Sequence, residues 1–124
     1  MLERLQARLE ELGITSPAED ASLLKTLLGG GVRWILAETG QTEVPEDLVP
    51  AVVDMAAGEY LFFLESAGRL EGFDQEHAVR QMSQGDTSVT YAVEFGRVSP
   101  VAALIERLTS PPEALVNQWR RLRW

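Results

Sequence analysis

The leucines at the start of the sequence recur at the spacing of an α-helix. Steps of three and four residues separate Leu2, Leu5, Leu9 and Leu12. Residues at this spacing lie on one face of a helix, and an apolar face of this kind is normally buried. Gly13 follows at the position where a helix commonly ends. The pattern predicts a first helix that buries its leucine face.

A second, longer helix is predicted from about Pro17 to Thr39. It begins with a Thr15/Ser16 cap, a proline in the first turn and acidic residues near the positive helix end. Three glycines occupy residues 29–31, and each costs about 1 kcal/mol relative to alanine in a helix interior. The apolar spacing keeps its phase across them, so we predict one continuous helix that another helix approaches closely. Its predicted buried face contains Leu24, Leu28, Val32 and Ile35.

A third helix is predicted from about Glu46 to Ser66. It is apolar on most of its sides, which is typical of a helix at the centre of a domain. Gly58 lies within it and again indicates a close neighbour. We therefore expect the other helices to pack around this one.

Residues 67–98 break the helical pattern. The first part, 67–86, is long, polar and poorly periodic, and such a loop in a compact domain is usually functional or mobile. Apolar and polar positions then alternate as in a β-strand over Thr87, Ser88, Val89, Thr90, Tyr91, Ala92 and Val93. A strand needs partners for its backbone groups, and the sequence offers no second convincing strand. Strand addition to another chain and an internal hairpin with about residues 78–82 or 95–98 are equally compatible with the pattern.

Two short helices are predicted after the strand. Ser99 is the expected cap of the first, with Pro100 at its first helical position. Ser110, Pro111 and Pro112 repeat this arrangement and predict the start of the second. The predicted fold class is therefore mainly α.

These elements predict a single domain over residues 1–124. It is a small bundle of about four to five helices with a long loop, 67–98, that carries one short β-strand or hairpin. The final part, 110–124, forms a separate C-terminal segment of this domain. A chain of 124 residues is long enough to bury a core without disulfides or metals.

Composition and charge narrow the class of protein. The absence of cysteine excludes disulfides, zinc–thiolate sites and thiol catalysis, and it suits a cytoplasmic origin. A net charge of −8 with one lysine argues against a general nucleic-acid-binding surface, because neutralising phosphates takes clustered cations. The most apolar stretch, 48–64, is too short and too charged for a membrane span. The sequence predicts a soluble, acidic protein without a membrane partner.

The residues give no support for catalysis. His77 is the one histidine and lies near Asp74 and Glu76 in the polar loop. Such a group could ligate a metal, but it lacks the fixed spacing of a recognised site, so a solvated loop is favoured. His77 also has no identifiable nucleophile partner. We predict no catalytic, metal-binding or cofactor-binding residues, no cofactor, and a protein that is not an enzyme.

The last residues of the sequence, NQWRRLRW, combine arginine with tryptophan. These residue types are enriched at the strongest contacts of protein interfaces. Arginines near the end of a helix can also simply complement its dipole. The two tryptophans beside them favour an interface. The candidates are Trp119, Arg120, Arg121, Arg123 and Trp124.

The order of these features resembles the head–tail connector family (adaptor or head completion proteins) of long-tailed phages and their prophages. Four stretches carry the resemblance: TSPAEDASLLKTLL, VPEDLVPAVVDMAAGEYLF, SQGDTSVTYAV and QWRRLRW. It covers nearly the whole chain, and GDTSV and RRLRW are its most specific parts. The resemblance implies a helical protein that forms a ring of about twelve copies under the portal. DNA would pass through that ring without sequence-specific binding.

The resemblance also implies roles for the two candidate segments. Residues 87–93 would contact neighbouring subunits, and the candidates at residues 119–121, 123 and 124 would dock to the portal protein. A stopper or tail-completion protein would be a further partner. The protein would belong to the head–tail junction of the virion and to the host bacterial cytoplasm during assembly. The alternative is a small acidic helical adaptor or regulator that binds a single protein partner, and a closed ring would separate the two.

Overall fold

The computed structural model describes residues 1–70, 73, 74, 77, 78, 80 and 99–121. Its helices are α1 (Leu2–Glu11), α2 (Ala21–Thr39), α3 (Val49–Ser66), α4 (Pro100–Thr109) and α5 (Glu113–Arg121). Two short 3-10 helices, Ala18–Asp20 and Glu46–Leu48, precede α2 and α3. The prediction of a mainly helical fold is confirmed. The predicted strand at residues 87–93 lies outside the described residues.

Helix α1 buries the leucine face predicted from its spacing. Leu5, Leu9 and Leu12 are buried in the core, and Leu2 packs against it. Gly13 follows the helix with φ of +84°, in the left-handed region that favours glycine. The periodic pattern therefore predicted both the face and the end of this helix.

The start of α2 differs from the prediction. The expected Thr15/Ser16 cap is wrong, because Pro17 itself takes the N-cap position of the 3-10 turn, with φ −70° and ψ 154°. No side chain caps this turn or the first turn of α2. Ser16 is thus one residue too early in the sequence to act as the cap.

Helix α2 is continuous through its three glycines, as predicted. Gly31 is buried against α3, and a Cβ at this position would lie 3.2 Å from Cγ1 of Val52. Gly29 and Gly30 face a different neighbour, the side chain of Arg33 on the same helix. The close approach of a second helix is therefore confirmed at Gly31.

Helix α3 lies at the centre of the bundle and packs against α1, α2 and α4. Nine of its residues are buried, including Gly58. A Cβ at Gly58 would lie 2.7 Å from Cγ2 of Thr109 and 2.9 Å from Cβ of Leu108, both in α4. The space between α3 and α4 at Gly58 therefore has no room for a side chain, and the predicted close neighbour of Gly58 is α4.

Ser99 and Ser110 occupy opposite ends of α4. The Ser99 hydroxyl accepts a hydrogen bond from the backbone N–H of Ala102 at 3.1 Å, as the predicted cap requires. Ser110 was expected to start the last helix but instead ends α4, and its hydroxyl donates to the Glu106 carbonyl at 2.6 Å. A residue before proline is driven out of the helical conformation, and Ser110 precedes Pro111 with φ −77° and ψ 121°.

Replacing Gly58 by alanine tests the contact between α3 and α4. We expect Gly58→Ala to lower the free energy of unfolding by about 1–3 kcal/mol, because the methyl group forces two packed helices apart. The measurement is chemical denaturation followed by circular dichroism.

Gly30→Ala is the matched control. A Cβ at Gly30 meets nothing nearer than the Arg33 guanidinium at 4.0 Å, so this change should raise stability by about 1 kcal/mol through helix propensity. If both variants gained stability, the close approach at Gly58 would be refuted.

Candidate functional site

Two polar side chains of α5 hold this helix to the rest of the chain. Trp119 donates through Nε1 to the Asp47 carboxylate, at 3.0 Å from Oδ1 and 3.2 Å from Oδ2. Arg120 pairs through Nη2 with the Glu38 carboxylate, and its Nε donates to the Glu38 backbone carbonyl at 3.2 Å. Glu38 lies in α2 and Asp47 in the 3-10 turn before α3. Both side chains therefore reach across to the helical body.

The apolar side of α5 strengthens this attachment. Val116 is fully buried, and Leu115 and Trp119 pack against the core with part of their surface exposed. Within the helix, Arg120 also donates to the Asn117 side-chain oxygen at 2.5 Å. Arg120 is therefore fixed by several partners rather than left to complement the helix dipole.

The predicted docking residues divide into two groups. Trp119 and Arg120 contact their own chain, so they have a structural role whatever else they bind. Arg121 ends α5, but its side chain, like Arg123 and Trp124, lies outside the described part of the structure. Docking to a portal stays a prediction for all five residues. The predicted contact strand, 87–93, also stays a prediction, because none of its residues is described.

A buried polar cluster that the sequence did not reveal joins three separate parts of the chain. The Tyr60 hydroxyl donates to Oδ2 of Asp20 at 2.5 Å, and Nη2 of Arg69 donates to the same oxygen at 2.9 Å. Tyr60 is fully buried, and 9% of the Asp20 surface is exposed. The cluster ties the turn before α2 to α3 and to the residues that follow α3.

The two donors set the charge of this cluster. Hydrogen bonds from Tyr60 and Arg69 lower the pKa of the Asp20 carboxyl. Burial, together with the bond to Asp20, raises the pKa of Tyr60 to about 12. At neutral pH Asp20 is therefore ionised and Tyr60 keeps its proton. A phenol with such a pKa is poorly suited to general acid–base catalysis, whose groups have pKa values near the working pH.

A cavity of about 300 Å³ lies beside this cluster. Apolar and polar residues both line it, and Arg69 is the charged one. The lining residues are Gly13, Ile14, Thr15, Pro17, Tyr60, Leu64, Arg69, Leu70 and Phe73. Arg69 already pairs with Asp20. The cavity and the cluster are therefore better suited to holding separate parts of the chain together than to catalysis.

An exposed aromatic pair lies on α3 next to the cluster. Phe62 is 58% exposed and Phe63 is 37% exposed, although half of the residues of α3 are buried at the centre of the bundle. The Phe63 ring stacks on Tyr60 with centroids 6.3 Å apart, and the Arg69 guanidinium lies 5.7 Å from the Phe63 centroid. Arg69 thus packs over Phe63 while binding Asp20, so the buried cluster holds one of the two exposed rings in place.

The single histidine has a structural position. The backbone N–H of His77 donates to Oδ1 of Asp74 at 3.0 Å, in the manner of a helix cap. Among the residues that the structure describes, no three histidine, aspartate or glutamate side chains come together to hold a metal ion. Within the same residues, no helix combines the length and the apolar character needed to cross a bilayer.

Comparison with known proteins does not place the chain in a family. No protein-family model, no curated protein and no solved structure matches it.

The titration of Tyr60 tests the buried cluster. In Tyr91→Phe, Tyr60 is the one remaining tyrosine, and its phenolate absorbance should appear with a midpoint near pH 12 rather than near 10. Since the folded pKa is the higher one, the contribution to stability is full below pH 10 and is lost as the pH rises towards 12. The measurement is ultraviolet absorbance against pH, with circular dichroism to follow the fold.

Asp20→Asn in the same background is the matched variant. It removes the charge next to the phenol but leaves the burial, so the midpoint should fall while staying above the ordinary value. A midpoint near 10 in the folded Tyr91→Phe chain would rule out the buried bond between Tyr60 and Asp20.

Proposed function

We propose that this protein is a virion structural protein of a phage or prophage, a head–tail connector that acts by binding other proteins. About twelve copies would form a ring beneath the portal. The ring would join the capsid to the tail through a stopper or tail-completion protein and let DNA pass through its channel. It would act at the head–tail junction after assembly in the host bacterial cytoplasm.

The exposed aromatic pair, Phe62 and Phe63, is the observation that supports the part of this proposal concerned with binding other proteins. Aromatic residues are enriched at protein interfaces, where they provide large rigid contact surfaces. Phe63 is held by Tyr60 and Arg69, so this part of the surface is preorganised. A rigid, exposed aromatic surface on the central helix supports a protein that works through assembly.

The distribution of charge supports passage of DNA through the proposed ring. The net charge is −8. In the part of the chain that the structure describes, four arginines are paired with carboxylates. These pairs are Arg4 with Glu46, Arg8 with Glu11 and Asp54, Arg69 with Asp20, and Arg120 with Glu38. Cations already bound to carboxylates neutralise phosphates poorly. Such a surface would let DNA slide rather than hold it.

The connector identity itself rests on the sequence resemblance, above all on GDTSV and RRLRW. The helical bundle supports it, since the resemblance implies a small helical protein. The alternative, an acidic adaptor with a single protein partner, would use the same aromatic surface. The two functions differ in the oligomer that they require.

Native mass across a wide concentration range, with and without purified portal protein, tests the proposal. We expect a closed oligomer of about ten to thirteen chains, formed either by the chain alone or on the portal. Phe62→Ser should raise the concentration needed for assembly at least several-fold, because it removes exposed aromatic contact surface without touching the core.

Ala37→Ser, at an exposed position of α2, is the matched control because it also places serine in a helix. It should assemble like the unmodified chain. A chain that stays monomeric with the portal, or forms only a one-to-one complex with a partner, would contradict the connector and favour the adaptor.

Val89→Asp tests the predicted contact strand in the same assay. A charge in place of an alternating apolar residue should impair assembly and leave the helical circular dichroism unchanged. Ser88→Asp is the control, because it places the same charge on the opposite face of the predicted strand. Normal rings from Val89→Asp would show that the strand is not a subunit contact.

A further inference from the structure

We propose that the cavity beside the buried polar cluster binds a small organic carboxylate, one that carries an apolar group. The carboxylate would bind Arg69 and Thr15. The apolar group would pack on Ile14, Leu64 and Phe73. This site goes beyond the proposed connector and does not depend on it, since a connector and a single-partner adaptor would contain the same cavity.

The size and position of the cavity suit a small ligand. Its volume is about 300 Å³, and pockets that hold small molecules begin at about this size. Its walls come from the turn after α1, from α3 and from the residues that follow α3. Spaces between the helices of a bundle are common places for ligands.

The charge of the lining favours a negatively charged ligand. The chain contains 19 aspartate and glutamate residues, yet none of the residues that line the cavity is acidic, and Arg69 is basic. Asp20 pairs with Arg69 from beside the cavity, so part of this positive charge is already balanced. A ligand with a single negative charge therefore fits better than a phosphate group, which carries about 1.5 to 2 at neutral pH.

Arg69 and Thr15 supply hydrogen-bond donors for such a ligand. In the part of the chain that the structure describes, Arg69 donates only through Nη2, to Asp20 at 2.9 Å, and the Thr15 hydroxyl has no partner. The N–H groups that remain on Arg69 match the two oxygens of a carboxylate. Asp20 and the ring of Phe63 already hold the guanidinium, so binding would cost little further ordering of this side chain.

Apolar side chains form much of the remaining wall. Ile14 and Leu64 are buried, and Leu70 and Phe73 pack against the core with part of their surface exposed. An inorganic anion would leave these surfaces in contact with water, whereas an apolar group attached to the anion would cover them, which is favourable. The lining therefore favours an organic acid over a simple anion.

A carboxylic acid and its amide test the site on the unmodified chain. The probes are 3-phenylpropanoate and 3-phenylpropanamide, which are similar in shape and differ in charge. In isothermal titration calorimetry we expect the acid to bind about ten-fold more tightly than the amide, because its hydrogen bonds to Arg69 are charge-assisted. The acid should also shift the backbone NMR signals of Thr15 and Leu70. Equal affinities, no binding of either probe, or shifts confined to other residues would overturn the proposal.

Arg69→Lys tests the arginine, because lysine keeps the positive charge but loses the planar pair of donors. The affinity for the acid should fall about ten-fold. Arg33→Lys is the matched control, at an exposed position of α2 outside the cavity, and it should bind the acid like the unmodified chain. An unchanged affinity in Arg69→Lys would show that Arg69 is not the partner of the carboxylate.

Thr15→Val repeats the test without altering the bond between Arg69 and Asp20. It removes the hydroxyl at nearly constant volume, so the acid should bind several-fold more weakly while circular dichroism and thermal stability stay unchanged. An unchanged affinity would exclude Thr15 from the site.

A peptide and a phosphate distinguish the possible sources of the negative charge. Acetyl-glycyl-phenylalanine carries the same aromatic acid at the end of a chain. Tighter binding of this peptide than of 3-phenylpropanoate would assign the site to the C-terminus of a partner protein, and the reverse order would assign it to a free small acid. Inorganic phosphate that binds more tightly than either would overturn the choice of an organic carboxylate.

Discussion

The fold depends on the burial of α3 between helices that approach its backbone at two places. Gly58 lets α4 come within contact distance of the α3 backbone, and Gly31 lets α2 pack on Val52. At these two points the separation of the helices is set by the absence of a side chain. The surrounding leucine, valine and alanine side chains then fill the space that these two approaches define. A larger residue at either point would disturb the whole bundle rather than one contact.

Polar contacts are placed at the two ends of α3, where other parts of the chain meet it. Asp47, just before α3, accepts from Trp119 of α5, and Tyr60, near its end, donates to Asp20. A buried carboxylate is costly unless it is paired and hydrogen-bonded, and Asp20 meets this condition through Tyr60 and Arg69. The apolar centre therefore fixes the distances between helices, while the polar ends determine which segments attach there.

The sequence predicted what local periodicity determines and missed what depends on distant residues. The leucine face of α1, the unbroken α2 and the central position of α3 follow from spacing alone. The contact between Asp20 and Tyr60 joins residues 40 apart, and acidic residues at a helix start or a tyrosine in an apolar helix give no sign of it. Ser110 shows a different limit: like Ser99 it precedes a proline and its residue type predicts a cap, but two prolines separate it from the first residue of α5, and its hydroxyl bonds back to Glu106 of α4.

Association of identical acidic chains faces a general obstacle, because each copy carries a net charge of −8 and repels the others. Contacts between copies must therefore bring opposite charges together locally. Within one chain, α5 shows how such a contact is built, since Arg120 meets Glu38 at a surface that also buries Val116. The same repulsion would keep separate copies apart until a partner such as a portal brings them close. The acidic surface thus opposes association by collision alone, so a contact between copies has to combine apolar burial with locally paired charges to outweigh the repulsion.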